Sequence, residues 1–133
     1  MRYRQFEVDY RVLLAVFVFG MLGGLARYGI GLALPSYFGT LTVNLIGSFF
    51  LTLILYWLGP VFALPTWALT GVGTGFVGAF TTFSTFSLET WTLLQQDFWW
   101  GVAYLSVSLV GGLTMAILGY LLAKRLTRGR FDD

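Results

Sequence analysis

The sequence predicts an all-α membrane protein of four transmembrane helices, the third of them broken in mid-membrane. Two observations set the class and a third sets the break. Hydrophobic residues make up 57% of the 133-residue chain and charged residues only 11%, whereas an average soluble domain carries about 25% charge. A small soluble domain needs a polar surface that this chain cannot supply, so the bilayer is its solvent. Disorder, nucleic-acid binding and ordinary soluble folds are excluded. Second, apolar runs long enough to span follow one another with very short connections, a crossing needing about 20 residues. Third, one run is too long, and too rich in glycine and hydroxyl groups at its centre, for a straight lipid-facing helix. Nothing alternates in polarity as barrel strands do.

The first span runs from about Val12 to Leu34 and stops at Pro35. The second runs from about Leu41 to Leu58 and stops at Gly59-Pro60. The third starts at Leu64-Pro65, where proline suits a first helical turn, and continues to about Leu94. Its middle, Gly71 to Ser87, holds several glycines and a crowd of threonines and serines, all poor helix formers. A break near 78–82 follows, and unwound backbone at that depth needs cover from protein or a water-filled cavity. The fourth span runs from about Phe98 to Ala123 and ends at Lys124-Arg125. No soluble domain fits between them, so residues 1–133 form one membrane domain.

Charge collects at the ends: Arg2, Arg4 and Arg11 precede the first span, and Lys124, Arg125, Arg128 and Arg130 follow the last. Four spans put both ends on one side, which the positive-inside rule places in the cytoplasm. Cysteine and histidine are absent. That excludes disulfides, the usual zinc sites, Cys or His nucleophile–base pairs and histidine switches. Gly73 to Gly78 matches the pattern G-x-G-x-x-G, but without a strand or a βαβ unit it is no dinucleotide site. Gly20 and Gly24, and Gly71 and Gly75, have the four-residue spacing of close helix contacts. They point to an oligomer, most simply a dimer; packing within one chain is the alternative.

Candidate site residues lie on three spans. Thr40, Asn44 and Ser48 share a face of the second helix, and Asn44 at hydrocarbon depth needs a partner or water. It is either an interhelical hydrogen bond or a donor to a permeating anion. Tyr104 and Ser108 form a second polar track on the fourth helix. For them the alternatives are an interfacial tyrosine and a serine bonded to its own helix. Phe83 and Phe86 follow the break beside Thr82, Ser84 and Thr85, and the positive ring edge of a phenylalanine favours an anion. Glu89 is the only acid inside a span, which marks it as functional unless it lies solvated at the interface. Arg27 either snorkels to headgroups or draws anions into a vestibule.

Three motifs together resemble the fluoride ion channel (Fluc) family: Gly23-Gly-Leu-Ala-Arg-Tyr28, Gly39-Thr-Leu-Thr-Val-Asn-Leu-Ile-Gly-Ser48 and Gly75-Phe-Val-Gly-Ala-Phe-Thr-Thr-Phe-Ser-Thr-Phe86. They occur in the family's order and cover essentially the whole chain. The resemblance implies a passive channel that exports fluoride across a prokaryotic plasma or inner membrane. It also implies an antiparallel, dual-topology homodimer with two pores and a central structural sodium ion. Carried over residue by residue, the sodium is held by backbone carbonyls of Gly78 and Thr81. Asn44, Phe83 and Phe86 line the pore with the hydroxyl track Thr40, Ser84, Thr85 and Ser108. Glu89 follows the track and Arg27 lies in the vestibule. The chemistry agrees: a small, strongly hydrated anion needs several neutral donors, while conduction needs weak, multiple sites. A proton-coupled exporter using Glu89 and a non-transporting anchor are the competing readings; the first expects its proton carrier at the midplane, whereas Glu89 lies late in an overlong segment, and the second offers no reason for a polar break.

Overall fold

The structure is a computed structural model that describes residues 9–34 and 36–128. Pro35, with the tail arginines Arg2, Arg4 and Arg130, lies outside the described residues. Every element among the described residues is helical. Three helices are long and apolar enough to cross a membrane: α1 (Tyr10–Ala33), α2 (Tyr37–Val61) and the last one, over Phe98–Thr127. Between α2 and that last helix lie two shorter pieces, α3 (residues 66–80) and α4 (Phe83–Gln96). The last helix, α5, is Phe98–Arg128.

Local chemistry sets these limits. Asp9 caps α1, its carboxylate accepting from Arg11 N at 2.9 Å, which satisfies one of the free N–H groups of a helix start. Ser36 takes a left-handed φ of 63°, and this tight reversal starts α2 at Tyr37 rather than Leu41. Gly59-Pro60 does not stop α2 as the sequence suggests. The helix widens into a π-turn over Ile54–Leu58, with Gly59 N bonded to Ile54 O, and continues to Val61. The wider turn carries the backbone to a proline that has no N–H to offer. Asp97 separates α4 from α5, its carboxylate accepting from Trp99 N and Trp100 N, so a single residue both ends one helix and caps the next.

The helices pack as two pairs, α1 on α3 and α2 on α5, with α4 against α5. The α1–α3 contact is backbone on backbone. A side chain on Gly75 would lie 2.8 Å from Val16 O, and one on Gly20 would lie 3.7 Å from Gly75 O. Gly23 meets the backbone of Phe76, whereas Gly24 faces open space. Gly20, Gly71 and Gly75 therefore pack within the chain, the alternative the spacing left open, while Gly24 does not. Small residues at this spacing identify a close helix neighbour without saying whose it is. Large apolar side chains along α1 and α5, such as Phe17, Leu25, Leu109 and Leu113, are exposed, as lipid-facing surfaces are. The chain is a multi-pass membrane protein.

Candidate functional site

The helical run is interrupted at Thr81 and Thr82, both in extended conformation. Thr81 closes the end of α3: its N–H and its Oγ1 both donate to Val77 O, at 3.0 and 2.9 Å. Thr82 turns away. Its N–H donates to Asn44 Oδ1 at 2.8 Å, and Asn44 Nδ2 donates back to Thr82 O at 3.0 Å. The amide side chain thus imitates a strand partner for one residue of unwound backbone, as burial requires. Thr82 also caps α4, its Oγ1 accepting from Thr85 N and donating to Thr85 Oγ1.

This arrangement releases two main-chain oxygens. In an unbroken helix Thr82 N would donate to Gly78 O, but Asn44 takes that donor. Thr81 O lies one residue before the cap of α4 and so outside that helix's bonding. Both residues border an open hollow of about 260 Å³ that Asn44, Gly47, Ser48 and Phe83 also line. Main-chain oxygens at a helix end are the ligand type a hard cation takes. Among the described residues no group of three or more His, Cys, Asp or Glu side chains is placed to hold a metal ion.

A second hollow, of about 230 Å³, opens on the other side of Thr82 and is lined by Arg27, Ser36, Thr40, Thr82, Thr85 and Glu89. Glu89 is only partly exposed, and both its oxygens are engaged. Thr40 Oγ1 donates to Oε1 at 3.0 Å, and Tyr104 OH donates to Oε2 at 2.6 Å. The carboxylate therefore ties α2, α4 and α5 together rather than sitting free at the interface. Rings continue the line. Phe86 lies 5.7 Å from Tyr104 and 5.9 Å from Phe83, while Tyr37 meets Tyr104 edge-on at 5.8 Å. Phe86 is buried, whereas Phe83 is 78% exposed, so a single chain leaves that ring uncovered.

The structure thus brings Asn44, Phe83, Gly78 and Thr81 to one hollow, and Arg27, Thr40, Thr85 and Glu89 to another, with Thr82 shared. Ser84 is exposed beside them, its Oγ 3.4 Å from Thr82 Oγ1. The Tyr104 ring is buried and its hydroxyl is bonded to Glu89. Ser108 is not bonded to its own helix, for its buried Oγ finds no partner. Ser48 is, donating to Asn44 O at 2.8 Å. Asn44 makes the interhelical bond, yet one Nδ2 hydrogen stays unused by Thr82. Thr82 itself escaped the sequence reading as a site residue. Its signal was present, a threonine placed to cap the helix that begins at Phe83.

Residues 14–120 match the family described as CrcB-like protein, Camphor Resistance (CrcB). A relative from Bacillus cereus strain ATCC 14579, named fluoride-specific ion channel FluC 1, is 41% identical over 95% of this chain and 96% of its own. Fluoride-specific ion channel FluC 2 of Ligilactobacillus salivarius is 47% identical over 96% and 95%. FluC 2 of Listeria innocua is 46% identical over 86% and 92%.

Proposed function

The chain belongs to the CrcB-like family, a family of membrane channels rather than enzymes, and from that premise we propose that it is a fluoride-selective channel. It exports fluoride passively across a prokaryotic plasma or inner membrane and lowers the cytoplasmic concentration. The single observation that carries this reading is likeness over nearly the whole chain to relatives named fluoride-specific ion channels. The working unit is an antiparallel homodimer with α3 and α4 together forming the third of four crossings. Each of its two pores is lined by Asn44, Thr40, Ser84, Thr85, Ser108 and Glu89, with the edges of Phe83 and Phe86.

The geometry supports this chemistry. Dehydrating a small anion needs donors to replace its water, and none of them can be so strong that the ion stays. The spare Nδ2 hydrogen of Asn44, the unpaired hydroxyl of Ser108 and the hydroxyls of Ser84 and Thr85 are neutral donors of this kind. Arg27 stands at the mouth of the hollow that holds Glu89, where a cation raises the local anion concentration. The uncovered Phe83 ring suits a surface that a second copy completes. A structural sodium ion at the dimer centre fits the two released carbonyls, Gly78 and Thr81. There it would neutralise the negative end of α3.

Fluoride efflux from liposomes that hold the purified protein, with chloride as control, tests the proposal. Selective fluoride flux without a proton gradient is expected. Absence of fluoride flux refutes it, and flux that requires a proton gradient favours an exporter driven through Glu89.

A further inference from the structure

Gly47 occupies the middle of α2, three residues after Asn44, and is buried against the break. Glycine is a poor choice within a helix, so its contact explains its presence. A Cβ at this position would overlap Thr81 Cγ2, and would stand 3.6 Å from both Thr81 Cβ and Phe80 Cδ1. The Thr81 methyl cannot rotate away freely. Its β-branched side chain has few rotamers, and the one present lets Oγ1 donate to Val77 O at 2.9 Å. Turning χ1 to clear a Cβ would break that bond. Moving the backbone instead would disturb Thr82, which Asn44 grips through both its N–H and its C=O.

We propose that Gly47 is a positioning residue for the ion pathway: its missing side chain is the seat for the Thr81 methyl, and this seat sets where the Thr81 carbonyl and the break stand. The inference rests on the reading of the chain as a fluoride channel, with the break in its ion-handling machinery. Gly47 touches no ion itself; it acts through Thr81.

Serine at position 81 keeps the hydroxyl that bonds Val77 O and lacks the methyl that a Cβ at 47 would strike. Four proteins therefore test the idea in the liposome efflux assay, with assembly followed by size-exclusion chromatography: wild type, Gly47→Ala, Thr81→Ser and the double variant. Overfilling a tight site should lower the initial rate of Gly47→Ala about tenfold or more. Thr81→Ser, which alters a residue of the break itself, sets its own baseline rate, and the double variant should stay within about threefold of that baseline, since the volume added at one position is removed at the other. Wild-type flux in Gly47→Ala overturns the inference, as does a double variant no better than Gly47→Ala. If Gly47→Ala fails to assemble, recovery of assembly and flux in the double variant supports the seat, and failure to recover overturns it. A wild type without flux refutes the channel reading alone. The seat is then judged by whether Thr81→Ser restores the thermal stability lost in Gly47→Ala.

Discussion

Asn44→Asp removes one arm of the bond pair that holds the break and keeps the other. The carboxylate still accepts from Thr82 N, as Asn44 Oδ1 does at 2.8 Å. The donation from Nδ2 to Thr82 O, 3.0 Å long, is lost, and an acceptor then faces an acceptor. Hydrogen bonds between membrane helices are worth about 0.6 kcal/mol on average and up to roughly 1.7. Thr82 O keeps the first intrahelical bond of α4, as the carbonyl of an N-cap residue does, so no buried acceptor is left wholly without a partner. Thr82 is 8% exposed, so water does little to replace the lost arm, and the expected loss is about 1–2 kcal/mol. Asn44→Ala, which strips both arms, should cost at least as much. Equilibrium unfolding in mixed detergent, followed by tryptophan fluorescence, measures this, and efflux is recorded on the same preparations. Lower stability together with lower flux is expected. Flux that falls while stability stays within about 0.5 kcal/mol of wild type, the ordinary range for a substitution without structural consequence, would refute the view of Asn44 as the clamp of the break. It would then act on the ion alone.

Other consequences are as concrete. Tyr104→Phe removes the 2.6 Å bond to Glu89 but keeps the ring packed on Tyr37 and Phe86. Efflux should fall several-fold to about tenfold, in keeping with a charged-group hydrogen bond of about 1.5 kcal/mol; an unchanged rate would detach Glu89 from the pathway. Thr82→Val removes the cap of α4 and should cost about 1 kcal/mol, read as faster hydrogen exchange at residues 83–85. Gly75→Leu drives a side chain into Val16 O, whereas Gly24→Leu enters open space. The first should abolish folded protein on size-exclusion chromatography and the second should not.

Much of this molecule is legible in its sequence, and the rest is hidden for physical reasons. Helical class and apolar spans follow from composition, because lipid leaves no other way to satisfy the backbone. Weak helix formers around Gly78 to Thr82 mark the region where the run is interrupted. The π-turns at Ile54–Leu58 and Gly71–Val77 leave no comparable trace, since a shift in hydrogen-bond register needs no particular residue. The role of Tyr104 was equally hidden. It meets Glu89 only because a one-residue connection at Asp97 folds α5 back along α4. The spacing of the paired glycines announced a close helix contact but not its partner: Gly20, Gly71 and Gly75 meet atoms of this chain, whereas Gly24 faces open space.

One face of α2 organises the site. Thr40, Asn44 and Gly47 lie within two turns, a length of about 10 Å. Each engages a different feature of the broken segment: Thr40 bonds Glu89, Asn44 bonds Thr82 and Gly47 receives Thr81. Spacing along a rigid helix therefore sets the distance between the carboxylate and the break. Within the broken segment α4 spaces Glu89 from its N-cap Thr82, but the backbone between α3 and α4 is unwound, so α2 relates both of them to Thr81 and the end of α3. Donors meant to replace an ion's water have to keep their separation while the ion passes. Hence the polar residues of α2 serve first as scaffold, and in the proposed channel only the groups left over, the second Nδ2 hydrogen of Asn44 among them, would remain to meet the ion. A substitution on this face that spares every donor but alters spacing should be as damaging as the loss of a donor.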